Sequence, residues 1–277
     1  MPSENKITRV NQPENVTLFP SLRELWEYRD ALIQVIRRDF MARYTQSVLG
    51  VIWIIVTPIV TMIVYTFVFK RVADVPSYNI PYPVFSFAAL VPWTYFAKSL
   101  TLGTRSILQN RQLVTDVYIP RILLPIAVQL TNAIDLFVNF FIFLLLMLLF
   151  GFTPTLNSLV VILFMIQLLV LSTGISFFLS ALQVRYRDIS SLVTYIVQVL
   201  VFLSPVAYPT EIIDSNLKVL YSLNPLVGLL DGWRWAMLGI DTFDPFAITI
   251  SVVVTVSIFI LGLTYFMKAE ATFTDWI

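Results

Sequence analysis

The amino-acid sequence predicts an all-α integral membrane protein with six transmembrane helices. An N-terminal amphipathic helix precedes them at the membrane interface, and short re-entrant helices lie between spans five and six. Hydrophobic residues make up 58% of the 277 and charged residues only 13%, whereas soluble domains are closer to half apolar and a quarter charged. The apolar residues concentrate in runs of about 20, the length of helix that crosses a hydrocarbon core. The basic residues between these runs fall mainly on one predicted side of the membrane.

The segment before the first apolar run predicts a polar tail followed by an amphipathic helix. Residues 1–20 are polar and contain three prolines, which favours a loosely ordered cytoplasmic tail. Ser21 stands three residues before Glu24, the spacing of a capping box, so a helix is predicted over 21–47. Apolar residues such as Trp26 recur along it with the arginines mostly opposite, a pattern typical of a helix in the membrane interface. A soluble helix packed on a partner protein is the alternative, and the two interpretations are compatible.

The predicted transmembrane domain occupies residues 48–277. Arg37, Arg38 and Arg43 precede its first span, which carries no charge until Lys70. The chain therefore passes here from a basic surface into the bilayer. The six predicted spans are about 48–69, 85–108, 122–150, 156–182, 189–207 and 246–267.

Residues 210–240 do not fit a further span. Asn224-Pro225 has the form of an N-cap followed by proline at the first helical position. The helix that it opens ends at Gly239 after about 14 residues, which is too short to cross. We therefore predict a re-entrant or interfacial pair of short helices here.

The distribution of Lys and Arg predicts the orientation. Thirteen lie in the N-terminal segment, in the connections 105–121 and 183–190, and in the C-terminal tail, against four on the opposite side. Cytoplasmic loops carry the excess of basic residues. Both termini are therefore predicted to be cytoplasmic, which requires an even number of spans and favours six over seven.

The composition excludes several classes of function. The chain has no Cys and no His, which removes disulfides, thiol catalysis and the usual zinc and haem ligands. No Gly is followed by Lys, so the chain lacks a phosphate-binding loop with which to hold ATP. A net charge of +1 points to no nucleic-acid partner, and the polar residues 1–21 do not form a secretory signal.

Two ionisable residues lie within predicted spans, Lys98 and Asp135. Such residues are costly in a bilayer and are functional candidates by default. Gln129, Asn132 and Asn139 share one face of the third span with Asp135. This face predicts a hydrophilic path, or a charge partner for Lys98. The alternative is interhelical hydrogen bonds of about 0.6–2 kcal/mol each.

A second pattern combines aromatic and hydroxyl side chains. They recur every four residues along the first span as Trp53, Thr57, Thr61 and Tyr65. Aromatic faces stack on sugar rings, so a glycan path could use them. The alternative is that Trp and Tyr anchor helices at the membrane interfaces, and we favour this alternative for Trp93 and Tyr95.

Short motifs are spread in a fixed order along nearly the whole chain. They are Arg43-Tyr44, Ser47, Leu49-Gly50, Trp53, Pro58, Pro92-Trp93, Asn110, Leu113-Val114, Pro120-Arg121, Arg187-Asp188-Ile189, Ser204-Pro205-Val206, Tyr208, Asn224-Pro225-Leu226, Arg234, Glu270-Ala271, Phe273, Asp275 and Ile277. Each motif is weak alone, but their order and spacing together are specific. With them the chain resembles the membrane subunits of ABC-2 type exporters for polysaccharides and polyol phosphates, which include transporters of O-antigen, capsule and wall teichoic acid.

The resemblance implies a non-catalytic permease subunit of an ATP-driven exporter. Such a subunit moves a lipid-linked, O-antigen-like polysaccharide from the cytoplasmic side across the bacterial inner membrane. Two copies would form the channel with two copies of a separate ABC ATPase, which binds ATP and Mg, while this chain holds no cofactor. The alternatives are a teichoic acid or capsule exporter, an ABC-2 drug or lipid exporter, and, from another class, an ion-coupled secondary transporter that titrates Lys98 and Asp135.

Together with the patterns above, the resemblance assigns three groups of residues. Those expected to admit and line the path of the substrate are Arg43, Tyr44, Trp53, Thr57, Thr61, Tyr65 and Asp135. Those expected to couple to the ATPase lie in the loop 105–121 and the connection 183–190, and are Asn110, Arg111, Asp116, Arg187 and Asp188. Those expected in the extracytoplasmic gate are Pro205, Tyr208, Asn224, Pro225 and Arg234.

Overall fold

The computed structural model describes residues 26–45, 49–116, 119–271 and 273, and all regular structure within these residues is helical. The predicted tail 1–20, the capping box at Ser21, Ser47 and the residues Asp275 and Ile277 lie outside this part of the chain. The helices are α1 (Arg29–Tyr44), α2 (Trp53–Tyr65), α3 (Tyr82–Gln109), α4 (Arg111–Asp116), α5 (Leu123–Leu149), α6 (Val161–Arg185), α7 (Ile189–Leu200), α8 (Ser215–Ser222), α9 (Pro225–Leu238) and α10 (Pro245–Glu270).

Four helical segments of the described chain are long and apolar enough to cross a membrane. They are Gly50–Val72, Leu123–Leu149, Leu156–Arg185 and Pro245–Glu270, and they correspond to predicted spans one, three, four and six. The prediction of an all-α membrane protein is therefore confirmed, while the number of six spans stays a prediction. The first segment runs beyond its predicted end at 69, because a π-helical turn over Thr66–Val72 continues α2.

Helix α3 is the central helix of the fold. It has 28 residues, about 42 Å at 1.5 Å per residue, and most of its side chains are buried against α5, α6 and α7. Trp93 and Tyr95 are buried near its middle, so the prediction that they anchor a span end at the interface is wrong. The helix also continues to Gln109, so residues 105–109 of the predicted loop form its last turn.

Helices α6 and α10 cross at a point that only glycine allows. A Cβ built on Gly262 would overlap the carbonyl oxygen of Gly174, and a Cβ on Gly174 would lie 2.5 Å from the Cα of Phe259. The two backbones are therefore in direct contact, as small residues permit where membrane helices cross.

The fifth predicted span is shorter than expected. Helix α7 has 12 residues, about 18 Å, and ends at Leu200, whereas the prediction extended to 207. Turns occupy residues 201–208. One physical reason for the break is that Pro205 lacks the N–H that would continue the helix. The other is that the carbonyls of Pro205 and Val206 accept hydrogen bonds from Arg234, which lies outside α7.

The predicted start and end of α9 are confirmed. The Asn224 side chain accepts the backbone N–H of Leu226 at 3.0 Å, and Pro225 occupies the first turn. Gly239 ends the helix in the left-handed conformation, with φ of 65°, which glycine adopts without a steric cost. Helices α8 and α9 are the short pair predicted within 210–240.

Candidate functional site

A cavity of about 710 Å³ opens where α1 meets the helices of the membrane domain. Five of the seven residues predicted for the substrate path line it, and Thr61 and Tyr65 do not. The five are Arg43 and Tyr44 from α1, Trp53 and Thr57 from α2, and Asp135 from α5. Their convergence from three helices makes this cavity the candidate site for substrate.

Asp135 is the centre of the polar contacts in the cavity. Its carboxylate accepts from Arg43 Nη1 at 3.2 Å and from the Tyr44 hydroxyl at 3.0 Å. Lys98 Nζ forms an ion pair with the same carboxylate. The predicted pairing of Lys98 with Asp135 is confirmed. Arg43 was predicted for the substrate path but not as a second cation for Asp135, from which it is separated by 92 residues.

The cluster carries a net positive charge. Arg43 and Lys98 face one carboxylate, whose side chain is 9% exposed against 21% for Arg43 and 37% for Lys98. Burial, followed by the charge of Asp135, raises the pKa of the Tyr44 hydroxyl to about 12, so that this hydroxyl remains a donor. Electrostatic attraction is stronger at such a partly buried position than in water, so the cavity favours an anionic group.

The polar face of α5 forms interhelical hydrogen bonds and also lines the cavity. Gln129 donates to the Ser176 hydroxyl at 2.8 Å and accepts from the Tyr95 hydroxyl at 3.0 Å, which is interhelical hydrogen bonding. Asn132 instead accepts from Arg43 at 3.0 Å and lines the cavity. Asn139 also lines it, and its buried Oδ1 has no hydrogen-bond partner among the described residues.

The predicted coupling residues lie at the end of the molecule that also holds α1. Arg38 of α1 donates a hydrogen bond to the Asn110 side-chain oxygen. The Asn110 side-chain amide in turn donates to the Ser106 carbonyl at 2.8 Å. Arg111 is exposed on α4. Asp116 ends α4, and its side chain lies outside the described residues.

The connection between α6 and α7 lies at the same end. Arg187 and Asp188 are exposed there, and one apolar cluster joins the end of α6 at Val184 to Ile107 of α3 and Val35 of α1. The same cluster includes Val114 of α4, so both connections adjoin one apolar cluster.

The five predicted gate residues come together at the opposite end. Arg234 of α9 donates to the carbonyls of Pro205 at 2.5 Å and Val206 at 2.7 Å. The Tyr208 hydroxyl lies 3.0 Å from that of Tyr221. Asn224 donates to the Leu203 carbonyl at 3.0 Å.

Asp231 was not predicted but belongs to the same group. It accepts from the Thr210 hydroxyl at 2.5 Å and lies 4.0 Å from Arg234 Nη1. The spacing of Asp231 and Arg234 by three residues on one helix could have indicated the pair.

Residues 30–238 match the sequence model of the ABC-2 type transporter family. Because this match covers most of the chain, the protein belongs to the ABC-2 type transporter family and is a membrane permease component.

Three curated relatives carry the name O-antigen export system permease protein RfbA. The one from Myxococcus xanthus is 33% identical over 219 residues, which cover 77% of this chain and 82% of the relative. Two from Klebsiella pneumoniae are 26% identical over 247 and 248 residues, covering 89% of this chain and 94% of each relative.

Proposed function

We propose that this chain is the transmembrane subunit of an ATP-driven exporter that moves a lipid-linked, O-antigen-like polysaccharide out of the cytoplasm. Two copies and two copies of a separate ABC ATPase form the complex in the inner membrane. Each chain crosses six times with both termini in the cytoplasm, and the ATPase binds ATP and Mg. The names of the curated relatives support the substrate class.

The observation that carries the proposal is the cavity beside α1. A lipid-linked glycan is an amphiphile with an anionic phosphate between its apolar tail and its sugars. Arg43 and Lys98 offer a net positive charge to that phosphate, while Trp53 and Trp93 offer aromatic faces in the same cavity. An amphipathic helix at the interface is where such a head group would leave the inner leaflet.

The proposed docking surface for the ATPase consists of α4 and the connection between α6 and α7. Arg111, Arg187 and Asp188 are exposed there, next to the apolar cluster that anchors both connections. A rigid attachment of this kind would transmit movement of the ATPase to α1 through the bond between Arg38 and Asn110.

The test is transport in proteoliposomes that contain this chain with its ABC ATPase. We expect ATP-dependent translocation of a lipid-linked neutral polysaccharide, and no ATP hydrolysis by the purified chain alone. Robust ATPase activity without a partner would contradict the division of labour. Preference for a lipid-linked polyol phosphate would assign the chain to teichoic acid export, and movement driven by a proton gradient without ATP would assign it to secondary transport.

A further inference from the structure

A second cavity, of about 730 Å³, lies at the end of the molecule away from α1. The loop that joins α2 to α3 forms most of its wall, and Pro209 and Glu211 also line it. Its polar and charged lining residues include Lys70, Asp74, Tyr78, Asn79, Tyr82 and Glu211. Nothing in the path for substrate admission described above uses this cavity.

The loop around the cavity holds an unusual backbone shape. Asp74, Tyr78 and Asn79 have φ of 47°, 53° and 59°, and they are the non-glycine residues with positive φ in the described chain. Asp and Asn tolerate this left-handed region, but a tyrosine there is uncommon. Such conformations persist only where the surrounding structure imposes them, and they cluster at functional sites.

Specific bonds hold this shape. The Ser77 hydroxyl donates to the Ile80 carbonyl at 2.7 Å, and the Tyr82 hydroxyl donates to the Ala207 carbonyl at 2.5 Å. The second bond ties the loop to the turns after α7. The cavity is therefore preorganised, with its walls fixed before a ligand arrives.

The charges that line the cavity favour a neutral ligand over an anion. Lys70 pairs with Asp74 at 2.9 Å, so among the described residues that line the cavity the exposed carboxylate of Glu211 is the charge without an ion pair. Burial and the nearby Glu211 raise the pKa of Tyr78, so its hydroxyl remains protonated. The cavity beside α1 has the opposite sign, with cations in excess.

The side chains present a set of groups that suits a sugar ring. Tyr78 lines the cavity, its ring centroid lies 6.1 Å from that of Phe85, and an aromatic ring can pack against C–H groups. Glu211 accepts hydroxyl donors, and the exposed Asn79 amide both donates and accepts. A few oriented polar groups beside an aromatic wall, in a volume of about 300–1,000 Å³, are characteristic of small-ligand sites.

We propose that this cavity is a saccharide-binding subsite that takes a neutral, hydroxyl-rich sugar unit and disfavours a polyol phosphate. Glu211 and Asn79 hydrogen-bond the sugar hydroxyls, and Tyr78 packs against the ring. The role of the subsite in receiving the exported polymer rests on the proposed function, whereas the binding itself does not.

Binding is measured on the purified full chain in nanodiscs, without the ATPase, by saturation-transfer NMR and calorimetry. The probes are tri- to hexasaccharides of neutral hexoses and N-acetylhexosamines, with a glycerol phosphate oligomer as the anionic comparator. We expect a neutral oligosaccharide to bind and E211Q to weaken it by roughly tenfold, since a charged hydrogen bond is lost. N79G should also weaken binding while it keeps the left-handed backbone.

D214N is the matched control, because Asp214 is an exposed carboxylate three residues from Glu211 that does not line the cavity. Its binding should equal that of the wild type. The proposal is overturned if no neutral oligosaccharide binds, if the glycerol phosphate oligomer binds more tightly, or if E211Q and N79G bind as D214N does. Intact oligosaccharide binding in a chain that exports no glycan would instead contradict the proposed function alone.

Discussion

The guanidinium carbon of Arg234 lies 3.9 Å from the ring centroid of Phe85, and both side chains are completely buried. The cation is thus held between an aromatic face of α3 and the carbonyls of the turns that follow α7. Those carbonyls have no helical partner because α7 ends at Leu200. Arg234 therefore supplies the donors that an interrupted helix requires in an apolar surrounding.

Replacing Arg234 should destabilise the fold strongly. R234M removes the donors to Pro205 and Val206 and leaves Asp231 without its cation, and loss of one member of a buried charged group costs about 3–5 kcal/mol. R234K keeps the charge but not the planar fork that reaches both carbonyls, so we expect an intermediate loss. Thermal unfolding in detergent, followed by circular dichroism, measures both.

The control for this prediction is K218M, which removes an exposed cation from α8. Its free energy of unfolding should differ from that of the wild type by no more than about 0.5 kcal/mol, as is usual for surface substitutions. If R234M unfolds at the same temperature as K218M, the Arg234 contacts do not support the break in α7.

Replacing Asp135 should strengthen the binding of anionic amphiphiles. Asp135 forms ion pairs with Arg43 and Lys98 in the free protein, so a phosphate that enters the cavity must compete with its carboxylate for these two cations. D135N removes the competing charge, and we expect dodecyl phosphate to bind roughly tenfold more tightly. R43Q should bind it more weakly, as measured by displacement of a fluorescent alkyl phosphate.

D30N provides the comparison, because Asp30 is an exposed carboxylate on α1 away from the cavity. Uncharged dodecyl maltoside should bind all variants alike. Weaker binding of dodecyl phosphate to D135N than to D30N would refute the role of Asp135 as an internal counter-ion.

Adding one methyl group at the crossing of α6 and α10 should be costly. The Cβ of G262A would overlap the backbone of Gly174, so the helices must separate, and overpacking of this kind costs about 1–3 kcal/mol. L261A changes the neighbouring residue, which is 66% exposed, and should be nearly neutral. Equal thermal stability of the two variants would show that the crossing is loose.

Charge reversal on α4 should weaken attachment of the ATPase. R111E changes the sign of an exposed residue on the proposed docking surface, and charges across an interface act strongly on partner choice. We expect co-purification of the ATPase to fall by roughly tenfold, with D116K giving a loss as well. The control R71E reverses the charge of an exposed arginine at the opposite end of the molecule and should leave co-purification unchanged. If R111E retains the ATPase as the wild type does, α4 is not part of the interface.

The sequence predicted the elements that local pattern determines. Long apolar runs located the four crossing segments, and the Asn224 cap with Gly239 bounded α9. The predicted ends of α7 and α3 were less accurate. Leu200 is followed by apolar residues that continue a helical pattern. The break has two causes, the missing N–H of Pro205 and the hydrogen bonds from Arg234, which lies too far along the chain for a local pattern to reveal.

The candidate site was predicted in its members but not in its arrangement. Asp135 and Lys98 were identified because ionisable residues are rare in spans. The approach of Arg43 from α1 depends on how α1 packs on α5, which no local periodicity encodes. Thr61 and Tyr65 share the spacing of Trp53 and Thr57, but that spacing continues past the end of the cavity.

The ion pair between Lys98 and Asp135 also constrains how the protein is made. Lys98 precedes its partner by 37 residues, so α3 leaves the ribosome with an uncompensated charge in its middle. Helix α3 is also absent from the segments of the described chain that are apolar enough to cross unaided. We expect a nascent chain truncated before Asp135 to insert α3 poorly, as reported by glycosylation sites on its flanks, and a chain extended through α5 to rescue it. That result would mean that α3 enters the membrane only together with α5.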